Sequence, residues 1–298
     1  MRGRYGISEN SPERYKRGTR VVWSYHSGVS DWDDTGYDDS DSRPRDAKED
    51  EALERLARFF DENRERVFYV TQLEVMNERD FFHWVTGRAL HTLVHDGVLK
   101  SENRTLITGA PIKLLWHRRH RYFKRDAAEL MKLVNEYSSP NISGSIGLHA
   151  EQMVLAGFAS KEFVMRAREV REFRGRVSSL GKVNVDFVFE RDNIAYGVEV
   201  KNTLSYGDHD ELFAKVAVAE EIGTVPVLVT RMMPRTWANE LIQRGGFALI
   251  LGHQLYPWTH ADLARRVNRE LGLPVDAPKA LQDGTMERFI RWHLKRVK

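Results

Sequence analysis

The chain has 298 residues, a length that accommodates two domains at about 100–200 residues each. Hydrophobic residues make up 41% and aromatics 10%, enough for a sizeable core, which excludes wholesale disorder; the absence of cysteine excludes a disulfide scaffold, a thiolate zinc site, an iron–sulfur cluster and a cysteine nucleophile. The net charge of +3 hides a segregation: residues 31–50 carry nine acids against three bases, so the remainder is basic and leans towards a polyanionic partner.

No apolar run approaches about 18 residues and the N-terminal stretch is polar, so neither a membrane span nor a signal peptide is expected, and a cytoplasmic protein is. Residues 1–50 have no steady period. They read as an acidic, flexible, solvated segment, or as an acidic mimic that covers a basic groove. From residue 51 the pattern is helical, with Leu53, Leu56, Ala57 and Phe60 recurring at intervals of three and four. Val67–Val70 predicts a short strand, and Thr71-Gln72-Leu73-Glu74 has the spacing of a capping box that opens a short helix. A third helix is predicted over Phe81–His95, with Phe82, Val85, Ala89, Leu90, Leu93 and Val94 inward; Asp96-Gly97 stops it and Val98-Leu99-Lys100 leaves as a strand.

The run Ala89-Leu90-His91-Thr92-Leu93-Val94-His95-Asp96-Gly97-Val98-Leu99 resembles the end of a winged-helix recognition helix entering its first wing strand. The resemblance covers about 60 residues within a domain bounded at 51–140. It implies that Arg88, His91, Thr92 and His95 face the major groove, although the fold also serves as a protein–protein adaptor. Next comes Lys113–Arg125, the densest basic stretch, in which Arg118, Arg119 and Arg121 alternate with aromatics as a phosphate- and base-binding segment would, or as a solvated face. Ser138–Ser145 is the best linker, and a second domain is placed at 141–298.

In that domain the predicted order is α-β-β-β-α-β-α-β, followed by two more helices near 260–271 and 285–296. A two-residue turn at Asp192-Asn193, whose residues both tolerate positive φ, would set the register of the central hairpin, whereas a three-residue loop would break the pairing. Arg191 then faces Ile194, Val188 faces Gly197, and Asp186 faces Glu199. Alternation puts Val183, Val185, Phe187, Phe189, Ile194, Tyr196, Val198 and Val200 on one apolar face. The other face carries small residues at one end and Asn184, Asp186, Glu199 and Lys201 at the other. Facing carboxylates destabilise a strand pair unless one is protonated or a cation lies between them. A hard divalent ion such as Mg²⁺ suits two carboxylates. Glu151 lies on or beside the apolar stripe of the helix predicted over Leu148–Phe158; packing of that helix on the small patch Val188, Ala195 and Gly197 would aim it at the pair, whereas an exposed glutamate at the stripe edge is the alternative.

Glu151, Asp186 and Glu199-Val200-Lys201, in this element order, resemble the PD-(D/E)xK nuclease superfamily over about residues 145–252, and Val-Glu-Val-Lys-Asn is similar to Holliday-junction resolvases and Mrr-type restriction nucleases. Val185 stands where the family name has proline, and Phe213-Ala214-Lys215-Val216 replaces a Gln-x-x-x-Tyr signature. The resemblance implies an α/β fold, a restriction-endonuclease-like αβββαβ core with a mixed sheet, preceded here by a winged helix. It implies a Mg²⁺-dependent DNA endonuclease, with Mn²⁺ substituting. Asp186, Glu199 and the Val200 carbonyl would bind the metal, Glu151 a second ion or a bound water, and Lys201 the attacking water and the phosphate charge. Arg166 and Arg168, with Arg171, Arg174 and Arg176, would line a backbone groove, about half of them being simply solvated, and Lys215 would either reach the phosphate or, as the preferred reading, be a snorkelling surface lysine. A homodimer would serve duplex cleavage. The alternatives are an inactive nuclease-fold DNA-binding or regulatory protein, and the same chemistry on RNA or branched DNA.

Overall fold

The computed structural model describes residues 46–205 and 207–297. Of the segment 1–50 expected to be acidic and flexible, residues 1–45 lie outside the described residues, and residues 46–50 instead open a helix. Helix α1 (Ala47–Glu62) starts earlier than the apolar period suggests, because Asp46 caps it: its Oδ1 accepts the Lys48 and Glu49 amides at 2.8 and 2.9 Å. Strand β1 (Val67–Tyr69), α2 (Val70–Asn77), α3 (His83–His95), β2 (Leu99–Thr105) and β3 (Pro111–His117) follow, and the three strands form an antiparallel sheet in the order β1-β3-β2. Leu56, Phe60, Phe68, Leu73, Phe81, Leu90 and Leu115 form the core of this unit.

Two local expectations are corrected. Thr71 does not cap α2; the helix begins two residues sooner, Gln72 Oε1 accepts the Tyr69 amide at 3.3 Å, and Glu74 turns inward to 7% exposure. Phe81 rather than Phe82 enters the core, since α3 begins only at His83 and leaves both phenylalanines outside its period.

After α4 (Phe123–Tyr137), the expected linker is the start of a 20-residue helix, α5 (Pro140–Ala159), with Pro140 in its first turn, where its missing N–H goes unneeded. Strand β4 (Val164–Val170), a small hairpin β5 (Glu172–Phe173) and β6 (Arg176–Val177), β7 (Val185–Arg191), β8 (Ile194–Lys201), α6 (His209–Glu221), β9 (Val225–Thr230), α7 (Arg235–Gln243) and β10 (Phe247–Ile250) then build a mixed sheet in the order β10-β9-β8-β7-β4. β4, β7 and β8 run antiparallel, and β8, β9 and β10 parallel. The molecule is therefore mixed α/β. Strands β11 (Gln254–Leu255) and β12 (Val275–Asp276) flank α8 (Ala261–Leu271), and α9 (Asp283–Val297) ends the described chain. Among the described residues no helix is long and apolar enough to cross a membrane.

The two faces of the sheet are covered differently from expectation. Phe158 and Met153 of α5, with Phe289 of α9, pack on Phe187, Phe189, Tyr196 and Val198. The small-residue face is covered by α6 instead: Val188 and Ala195 meet Val218, Ala219 and Ile222. Helix α6 carries Ala219 at the crossing and lies close against Gly197. Val183 and Val185 also join the α6 cluster; pairing with β8 ends at Phe187–Val198, while β4 still pairs with Val185.

Candidate functional site

The turn between β7 and β8 is the expected one. Asp192 and Asn193 have φ of 52° and 62°, and the ladder pairs Arg191 with Ile194, Val188 with Gly197 and Phe187 with Val198. Beyond that last pair Asp186 replaces a backbone acceptor with its own side chain: its Oδ2 accepts the Val200 amide at 2.8 Å. Asp186 and Glu199 thus come together where the strands part, at the C-terminal end of β8.

Glu199 is 4% exposed, and burial first, then the charge of Asp186, pushes its carboxyl up to about 8 against the pull of Lys215 and Lys201. Asp186 is also raised, by burial that outweighs the Val200 amide and the two lysines. Glu151 reaches the site from α5, half-buried; burial and the Asp186 charge raise it, and Arg168 opposes them by donating to its Oε2 at 3.3 Å. Its neighbour Leu148, expected inward, is 54% exposed, so Glu151 stands at the edge of the buried stripe formed by Ile146, Ala150, Met153 and Val154.

Two lysines complete the cluster. Lys201 Nζ donates to Glu211 Oε1 at 2.5 Å. Lys215, expected on the surface, is 11% exposed instead, with Nζ 3.2 Å from Glu199 Oε2 and 3.3 Å from Asn184 Oδ1, to which it donates. The ammonium is within ion-pair range of Oε2 but off the line of a hydrogen bond, so that oxygen has no aligned donor. The crossed pairing follows from matched spacings: residues two apart on a strand are about 6.6 Å apart, and residues four apart on a helix rise about 6 Å. Glu199 and Lys201 therefore align with Lys215 and Glu211 of α6, whose N-terminus Asp208 caps by accepting the Glu211 amide at 2.8 Å. Asn202, next along, is a buried anchor: it donates to the Ile146 and Leu255 carbonyls and accepts the Leu255 amide.

The predicted DNA contacts divide. Arg88 is committed to buried Glu49 at 2.7 Å and stacks on Trp84; Thr92 donates back to the Arg88 carbonyl, and His91 is half-buried. Arg166 is bound at 2.9 Å to Glu190, which Arg174 also holds. Arg118, Arg119 and Arg121 are exposed together with Tyr122, Lys124 and Arg125 on the turn from β3 into α4. Trp116 and Phe123 are not stacking platforms, since they stack on each other at 4.4 Å inside the protein.

The donor set, oxygen-only, with two carboxyl groups brought together whose anionic forms burial disfavours, fits a hard divalent ion held by one or two carboxylates. Among the described residues no three His, Cys, Asp or Glu side chains are gathered closely enough to hold a metal ion, so the fit rests on Asp186 and Glu199. Comparison with protein-family models, curated proteins and solved structures finds no match to the chain.

Proposed function

We propose that the chain is a Mg²⁺-dependent DNA endonuclease of the PD-(D/E)xK kind, in which the N-terminal unit acts as a winged helix that positions the substrate. The observation that carries this reading is the meeting of half-buried Asp186 and buried Glu199 at the opening of β7 and β8, where the Asp186 charge raises the Glu199 carboxyl and two lysines flank the pair. A core of apolar residues would be cheaper there unless the charges serve a ligand. The mixed sheet order and the β1-β3-β2 arrangement with α3 lying before the β2–β3 hairpin support the same reading.

Asp186, Glu199 and the Val200 carbonyl would hold the ion, which supplies electrophilic activation of the phosphodiester and a water poised to lose its proton. Glu151, its carboxyl already biased towards the proton-bearing form, would orient the attacking water. Lys201, released from Glu211, would face the charge that grows on the non-bridging oxygens as the bond from water oxygen to phosphorus forms and the bond to the leaving oxygen breaks. Arg118, Arg119 and Arg121 would neutralise backbone phosphates away from the reacting bond.

The test is purified protein with Mg²⁺ or Mn²⁺ against linear duplex, single-stranded and branched DNA and RNA. Cation-dependent cutting of DNA is expected; the absence of cutting on every substrate with either ion would remove the proposal.

A further inference from the structure

We propose that Lys215 is a built-in occupant of the cation position: its ammonium holds the Asp186–Glu199 pair until a divalent cation displaces it. The inference rests on the cation-dependent reading of this site and adds to it how the site is kept, and how it is switched on.

The cluster contains two crossed ion pairs. Lys215 lies 3.2 Å from Glu199, and Lys201 lies 2.5 Å from Glu211. Once Glu199 has lost its proton those four charges balance, and Asp186, its Oδ2 turned to the Val200 amide, is a further carboxylate beside them. Glu199 is too deep for water to stabilise its charge, so without a bound ion it either keeps its proton or, once ionised, needs an internal counter-ion. Lys215 meets that need imperfectly. It approaches Oε2 without an aligned hydrogen bond and shares itself with the neutral amide of Asn184. An ammonium held loosely against one carboxylate oxygen has somewhere to go: its four-carbon stem lets it swing about the Asn184 contact, and Lys is the side chain best suited to such movement. A divalent ion brings two charges to the same oxygens, and its repulsion of a neighbouring ammonium drives the exchange. After exchange Lys215 is a free cation at the mouth of the site, where a phosphate arrives.

The experiment reads the side chain directly, on the full-length protein and without DNA. Amines are acetylated by a brief pulse of a water-soluble acyl ester, with and without Ca²⁺, and the extent at Lys215 is read by peptide mass spectrometry, with exposed Lys124 as internal reference; Ca²⁺ binding is followed in parallel by calorimetry. Expected is a severalfold rise in Lys215 acetylation on Ca²⁺ addition, unchanged Lys124, and loss of the rise in Asp186→Asn. If Ca²⁺ binds and Lys215 stays as protected as before, or if the rise persists in Asp186→Asn, the displacement is wrong and the reading of the site as a cation-dependent one stands. If Ca²⁺ does not bind at all, that reading fails and the displacement fails with it.

Discussion

Glu74 and Glu199 are both buried, and burial lifts both carboxyls to about 8. Their surroundings differ. Glu199 shares its place with Asp186 and two lysines, whereas only burial acts on Glu74, whose Oε1 has no hydrogen-bond partner. For Glu74 the folded form keeps its proton between the ordinary value of 4.5 and about 8, where the unfolded chain has released it. Its contribution to stability is thus full below about 4.5 and is lost as pH rises through that window, at up to about 1.4 kcal/mol per pH unit. Glu74→Gln stays neutral throughout. Its melting temperature should match wild type near about pH 4 and exceed it increasingly up to about pH 8; parallel curves at all pH values would show that Glu74 is not buried in this way. Asp186→Asn keeps an acceptor for the Val200 amide and removes one of two like charges. It should abolish cleavage while leaving cation-free melting unchanged or raised, and a marked loss of stability without cation would make Asp186 a structural residue.

The β7–β8 hairpin depends on a glycine for a reason its sequence only half announces. A Cβ on Gly197 would stand 2.5 Å from Thr224 Oγ1 and 2.8 Å from the Ala219 Cβ. Neither neighbour can yield easily, since Thr224 is held by its bond to the Ala219 carbonyl at 2.7 Å and Ala219 is fixed to the α6 backbone. Gly197→Ala should therefore push α6 off the sheet and destabilise the fold by roughly 1–3 kcal/mol, read by chemical denaturation. It should also weaken catalysis, because α6 carries Glu211 and Lys215. An unchanged unfolding midpoint would mean that α6 does not sit where the structure has it. Turn and register here were legible because two residues able to adopt positive φ stand between two alternating runs. The partner of the small face was not legible, because any helix with small side chains satisfies the pattern and the sequence does not say which one crosses.

At the scale of the molecule, the N-terminal unit shares a core with α8 and the segments around it. Trp116, Leu133, Tyr137 and Ile146 pack with Leu204, Tyr256, Val267 and Leu273 in one cluster. Arg231 reinforces the junction: it is 2% exposed, bonds both Glu78 oxygens at 2.5 Å, and donates to the Thr203 and Leu204 carbonyls just beyond Lys201. Arg231→Met leaves Glu78 uncompensated and should cost roughly 3–5 kcal/mol, measured by urea unfolding; a shift within error would show that the junction is solvated. Charge reversal at Arg118, Arg119 and Arg121 should weaken DNA binding about equally for all sequences. It should also flatten log Kd against log salt by roughly 0.9 for each phosphate that is no longer neutralised. Unaltered affinity and slope would make that turn a solvated face.

What the sequence by itself determined is local. Asp192-Asn193 set a register, apolar alternation named the strands, and that register brought Asp186 and Glu199 to the same end of the hairpin, one step beyond its last pair. What only the tertiary structure decided is everything that depends on which surfaces meet. Ser138–Ser145 reads as a linker, yet its chain enters α5 because Ile142 and Ile146 find the shared core there. Arg88 and Arg166 read as phosphate ligands, yet Glu49 and Glu190, distant in sequence, already hold them. Lys215 reads as a surface lysine, yet the crossing of α6 over the end of β8 carries it to Glu199. A charge pattern records that a side chain needs a partner; the packing of helices on a sheet selects the partner.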